Sequence, residues 1–205
     1  MWRLLPIIFM FISVSWFVLT FGPAVKVEIE YQLRQFMDSV GADQLSELFW
    51  PGNVSWELAD PDVNYQYGIV IPKIRLKETV IFNVDPNDEE SYTVALSNGI
   101  AHAAGTGFPG NGQLGYYFAH SAQSAFTRQF KAVFYLLGKL ESGDEVFVFH
   151  NGEKYEYKVI GSEVTSPTEL DFLSRTYPKE TIVLQTCWPL GFAHQRKLVF
   201  AERVE

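Results

Sequence analysis

DEVFVFHNGEKYEYKVIGSEVT, residues 144–165, decides the fold. Tyr155, Tyr157 and Val159 alternate with Lys154, Glu156 and Lys158, which is the period of a strand with one buried face. The preceding run, DEVFVFH (144–150), is rich in Val and Phe and reads as a partner strand. Between the two lies Asn151-Gly152, the pair that most favours a two-residue hairpin turn. The centre of the chain is therefore antiparallel β structure.

The same texture extends outward in both directions. YGIVIPKIRL (67–76), TVIFNV (79–84) and GYYFAHS (115–121) precede the hairpin, and TIVLQTC (181–187) and KLVFAERV (197–204) follow it. All are short, Val/Ile/Phe/Tyr-rich runs. Helical patterns are few: one around 92–101, and one near 168–175, where Thr168 is placed to cap TELDFLSR. Seven strands at this spacing predict a mainly β protein, a closed or nearly closed barrel with short helices. There is no internal repeat and no low-complexity tract.

The first 66 residues differ. Residues 4–21, LLPIIFMFISVSWFVLTF, form a run of 18 uncharged residues. At ~1.5 Å rise per residue, that is long enough for a transmembrane helix. Trp2 and Trp16 suit membrane interfaces, and Arg3 favours a cytoplasmic N-terminus. A cleaved signal peptide is the rival, but Phe21-Gly22-Pro23-Ala24-Val25 is a poor cleavage site. Val25, Ile29, Leu33, Phe36 and Val40 continue as a helical stripe, expected to pack on the domain or a neighbour. Residues 41–67 carry Gly, Asp, Asn and two Pro and read as a linker, with Trp50 and Trp56 tucked against the domain. The organisation expected is an anchor at 1–25, a helical stalk and linker at 26–66, and a barrel at 67–205.

Composition narrows the function. The chain has 205 residues, 47% hydrophobic and 16% aromatic, enough for a packed core. The net charge is −8, and the 16 Lys and Arg are scattered, which argues against nucleic acid as the main partner. Cys187 is the one cysteine, so an internal disulfide and a multi-cysteine metal site are both excluded. A lone cysteine is either a small buried hydrophobe or a nucleophile.

Three residue types converge on acyl transfer. Cys187 ends a strand run, because Pro189 cannot continue the ladder. His120 closes another strand run, 67 residues earlier. Arg196 opens the last strand, nine residues after the cysteine. A thiol near its ordinary pKa of ~8.5 needs a base to ionise it at neutral pH. An imidazole supplies that base and later an acid, and a guanidinium donates to a developing oxyanion. Lys197 is an alternative cation, on the opposite face of the strand. His150 reads as a strand-end residue, and His194 as either exposed or a perturber of the site. Asp85, Asp88, Glu89 and Glu90 read as a solvated acidic turn, since they lack a regular calcium-ligand spacing.

VLQTCWPLGFAHQRKLVF (183–200) resembles the sortase signature, a Thr-Leu-x-Thr-Cys strand end followed by a loop and an Arg on the next strand. GIAHAAGTGFPGNGQLGYYFAHS (99–121) resembles the segment that runs through a Gly/Pro turn into the family's His, and GIVIPKIRL (68–76) its first strand. The resemblance spans 67–204 in the family's order, with His before Cys, whereas papain-like enzymes place Cys first. Val183 departs from the first Thr of the motif, and Ser121 stands where many members carry Arg.

The resemblance implies a sortase-like closed β-barrel of about seven to eight strands behind an N-terminal transmembrane helix. It implies Cys187 as nucleophile with His120 and Arg196, and a substrate groove that includes Thr186, His102 and Trp188. For His102, a solvated or capping role is the competing reading. The implied reaction cleaves a C-terminal LPxTG-like sorting motif through a Cys thioester and joins the protein to an amine on cell wall or another subunit. It requires no cofactor and no metal. The implied site of action is the plasma membrane, single-pass, with the catalytic domain extracytoplasmic. Two alternatives stand beside it: a membrane-anchored cysteine peptidase or hydrolase, and a catalytically silent, membrane-tethered binding barrel.

Overall fold

The computed structural model describes residues 5–39, 66–121, 132–189 and 193–204. The linker with Trp50 and Trp56, and the flanking Trp2 and Arg3, lie outside the described residues. The chain divides into two compact units, Met1–Leu58 and Ala59–Glu205.

In the first unit, α1 (Leu5–Ser39) is one continuous helix of 35 residues, where anchor and stalk were expected to meet near residue 25. Its stripe residues Val25, Ile29, Leu33 and Phe36 are exposed, as are Phe9, Met10, Phe11, Ile12, Val14, Trp16 and Phe17. Among the described residues, no helix is long and apolar enough to cross a membrane.

The second unit is an eight-stranded closed barrel. Its strands are β1 (Tyr67–Ile71), β2 (Leu76–Val84), β3 (Ile100–Ala103), β4 (Gly115–Phe118), β5 (Glu145–His150), β6 (Glu153–Thr165), β7 (Thr181–Trp188) and β8 (Gln195–Arg203). Their order around the barrel is β1-β2-β3-β4-β7-β8-β6-β5, and β5 closes back onto β1. Closure leaves no unpaired edge along the ring. Two pairs are parallel, β2 with β3 and β4 with β7; the rest are antiparallel.

The central hairpin forms as read. β5 and β6 pair from His150↔Glu153 to Glu145↔Lys158. Asn151 and Gly152 both have positive φ, 54° and 83°, as a type I′ turn demands.

The strand missing from the sequence reading is β3. Its first two residues, Ile100 and Ala101, fell in the expected helix 92–101, but the helix α2 spans Glu89–Asn98 and the chain then turns into β3. Asp88 caps α2 by accepting the Glu90 amide at 3.2 Å. Gly99 makes the turn possible: a Cβ there would sit 2.3 Å from the Thr79 carbonyl oxygen of β2. The other expected helix, 168–175, is only a 3-10 turn at Asp171–Leu173. Thr168 does not cap it; its hydroxyl meets Ser166 at 3.3 Å. Burial of Phe172 against the Tyr116 ring, 5.2 Å away, replaces the helix as the organising contact.

Alternation along the strands gives the barrel two faces. The inner face carries Ile69, Val148, Tyr157, Val159, Ile182, Leu184, Val199 and Tyr117, all essentially inaccessible. At the end where β7 begins, Glu180 accepts the Gly110 and Gly112 amides at 2.9 and 2.8 Å, together with the Tyr157 hydroxyl and Arg203. That clasp pins the glycine-rich loop between β3 and β4. The outer face of β4, β7 and β8 carries Tyr116 and Phe118, Val183, Gln185 and Cys187, and Arg196, Leu198 and Phe200. The segment before β7 covers part of this face, through Phe172 on Tyr116 and Tyr177 on Phe200. Gln185, Cys187 and Arg196 remain half-buried at the uncovered end.

Candidate active site

Cys187 and Arg196 are direct partners in the antiparallel β7–β8 ladder. Side chains so paired share a face, with Cβ atoms ~4.5–5.5 Å apart. The nine-residue separation read from the sequence is thus closed by the register itself. The Arg196 guanidinium donates to the carbonyls of Ala193 and Gln195 at 2.8 and 3.1 Å, so its own loop steadies it. Lys197 falls on the other face, opposite Thr186, and its ammonium bonds Ser162 at 2.8 Å. The alternation that set it aside as the site's cation therefore holds.

His120 comes from the neighbouring strand. β4 runs parallel to β7 with Tyr116↔Val183 and Phe118↔Gln185. Two more residues in that register bring His120 beside Cys187. The chain continues along β7 past the end of β4, because the Ala119 amide donates to the Gln185 carbonyl at 3.1 Å. His120 Nε2 is shielded from solvent, and burial lowers the pKa of the ring. The imidazole is therefore neutral at neutral pH and able to accept a proton.

Tyr116 is a member of this face that the sequence reading passed over as an ordinary strand residue. Burial raises its phenol well above the usual range, and it feels both the Arg196 cation and the Cys187 sulfur. That double influence places all three in one electrostatic neighbourhood. Counting back by twos from His120 along the strand was the signal that identifies it.

The three residues expected in the groove sit differently. Thr186 is 2% exposed, faces away from Cys187, and donates to the Ala119 carbonyl at 2.9 Å. Trp188 is half-buried at the end of β7; its ring lies over Gly138, with the Lys197 ammonium 5.8 Å from the ring centre. His102 is neither in the groove nor solvated. It is 1% exposed inside the barrel, stacked on Tyr117 at 4.8 Å. Its Nδ1 meets the Tyr67 hydroxyl and its Nε2 the Thr106 hydroxyl, each at 2.9 Å. The correction follows from register: His102 pairs with Tyr117, one strand position off the His120 face. Burial lowers its pKa to about 4.

Of the remaining candidates, His150 ends β5 and rests against Tyr67 and Phe108, and His194 is exposed. Asp85 closes a turn on the Asn87 amide at 2.9 Å, and Asp88 is spent as a helix cap. Among the described residues, no three His, Cys, Asp or Glu side chains are grouped to hold a metal ion.

A family model for the sortase domain matches residues 69–204. This chain belongs to the sortase family. Its members are generally cysteine transpeptidases that act on sorting-motif proteins and amine acceptors, and the fold carries the one cysteine on the face just described. Sortase D of Bacillus subtilis is 24% identical over 148 residues, covering 70% of this chain and 67% of that protein. Sortase C-1 from Actinomyces oris superposes with a TM-score of 0.58 at 29% identity, over 68% of this chain and 73% of that one. Sortase C2 of Group B Streptococcus pilus island 1 gives 0.59 at 26% identity, over 70% and 77%. Solved structures similar to this chain thus include sortases of the A and C types, and the sequence relative is a D type.

Proposed function

We propose that this sortase cleaves an LPxTG-like sorting motif and transfers the acyl part to an amine. Cys187 attacks the backbone carbonyl carbon of the motif, and His120 takes the thiol proton. Arg196 donates to the oxyanion of the tetrahedral intermediate. The C–N bond then breaks, His120 returns the proton to the leaving amine, and a thioester remains. A second amine attacks the thioester and regenerates the thiol. The observation that carries this reading is the Cys187↔Arg196 pairing, which sets nucleophile and cation on one half-buried face. His120, half-buried on the adjoining segment with its pKa lowered by burial, supports the acid–base role.

We place the enzyme at the plasma membrane, with its barrel extracytoplasmic. The support is the uncharged run 4–21 and the exposed apolar side chains of α1 from Phe9 to Phe17.

The test is a peptide assay read by intact mass. Wild type incubated with an LPxTG peptide should gain the acyl adduct, and Cys187→Ala should gain none. Adding a glycine or diaminopimelate-like amine should yield joined product at the expense of hydrolysed product. An adduct on the alanine variant overturns the assignment of the nucleophile. Hydrolysis alone, across a broad amine panel, makes the protein a cysteine peptidase on a sortase fold.

A further inference from the structure

We propose that Thr186 is a positioning residue whose hydroxyl clasps the His120 segment onto β7 and holds the imidazole level with Cys187. The inference deepens the proposed function, since it takes Cys187 and His120 as the reacting pair.

β4 ends at Phe118, two residues short of His120. Two hydrogen bonds tie the following residue, Ala119, to β7. The Ala119 amide donates to the Gln185 carbonyl at 3.1 Å, and the Thr186 hydroxyl donates to the Ala119 carbonyl at 2.9 Å. The second is a side-chain rung that extends the ladder one step toward the histidine. Beyond it, the His120 carbonyl accepts the Phe134 amide at 3.0 Å, and Phe134 is fully buried. The peptide units on both sides of His120 are thereby fixed, one by Thr186 and one by Phe134. Ring placement follows from backbone placement, because His120 has only its χ angles left to vary.

The same geometry removes Thr186 from substrate contact. It adjoins Cys187 in sequence, so its side chain points to the opposite face, and it is 2% exposed. A peptide lying over Cys187 and Arg196 does not reach it. Among the described residues, the titratable and charged groups on the His120 face are Cys187 of β7, Arg196 of β8 and Tyr116 of β4; Phe134, whose amide meets the His120 carbonyl, adds no charge.

Full-length protein with Thr186→Val, Thr186→Ala and Thr186→Ser serves as the test. Valine keeps the shape and loses the donor; serine keeps the donor. The first readout is the imidazole titration by NMR, which needs no substrate. With the clasp gone, His120 gains water and its midpoint rises toward the ordinary ~6.5. His102, with its midpoint near 4, is the internal control and stays put. The second readout is transpeptidation of an LPxTG peptide. Valine should lower kcat on the order of 10²-fold, the scale of a small misplacement of a reacting group, with KM within about twofold. Serine should restore most of both readouts. If valine fails to fold, alanine carries the comparison. A valine or alanine variant in which His120 titrates as in wild type overturns the proposal. So does a rise in KM with kcat kept, which returns Thr186 to the substrate groove. Should no peptide react with any form, the sortase-reaction reading fails while the titration still decides the clasp.

Discussion

His102 sits 1% exposed, with both ring nitrogens beside neutral hydroxyls, and burial outweighs the one neighbour that favours the imidazolium, the Gly107 backbone. Burial holds its pKa at about 4 in the folded chain, against 6.5 in an open one. A base with a depressed folded pKa takes up its proton first in the unfolded state. Its contribution to stability is therefore complete above pH 6.5 and is lost as pH falls toward 4. The difference between the two corresponds to roughly 3 kcal/mol. His120 and His150, also lowered by burial, add smaller parts in the same direction. Urea unfolding at pH 7 and pH 4.5 should show this loss, and His102→Gln should flatten most of it while lowering the pH 7 value. An undiminished slope in the variant would assign the proton uptake elsewhere. His102 also marks the limit of reading a site by residue type. As a histidine one turn upstream of a Gly/Pro loop it looks like chemistry; strand register alone turns it inward. The strand positions of Cys187 and Arg196 were legible because the signature words around them fix β7 and β8, whereas the strand expected to reach His120 stops at Phe118, and Thr186 needed the alternation of a strand whose inner face was not yet known.

The elements follow local chemistry where it is strong. The Asn151-Gly152 hairpin, the strands on either side of it and the last two strands all stand within two residues of their expected bounds. β3 was hidden because its four residues lack room for an alternating pattern and follow a helix without a break. The helix expected near 168–175 failed for the opposite reason: a local cap signal lost to the burial of Phe172. The hairpin turn offers a direct check of the first rule. Gly152 has φ of 83°, where an L side chain meets its own carbonyl. Gly152→Val should destabilise the barrel by about 1–2 kcal/mol, seen as a lower urea midpoint at unchanged slope. The turn is exposed and no Cβ contact crowds the position, so the cost isolates backbone conformation from packing. A neutral result would show that the turn relaxes into another type without loss.

At the scale of the molecule, the barrel's core runs from Tyr67 to Ala201, entirely within the second unit. The ring closes through β1 with β5 and through the parallel β4–β7 pair, whose partners such as Tyr117 and Leu184 lie far apart in sequence. Parallel pairs cannot be joined by a tight turn, and the connection between β4 and β7 contains the whole β5–β6 hairpin. Closing a long segment carries an entropic cost that local contacts do not offset in advance, and such pairings form late. The hairpin, being local, forms early. Hydrogen-exchange pulses during refolding from urea should therefore protect the β5–β6 amides first, and short iodoacetamide pulses should find Cys187 reacting at its unfolded rate until β4 and β7 pair. A native alkylation rate before the hairpin is protected would contradict that order. On the proposed mechanism, catalytic competence is the final event of folding: a nascent chain carries a thiol with neither His120 nor Arg196 beside it, and the enzyme cannot acylate itself with a passing peptide before its own barrel has shut.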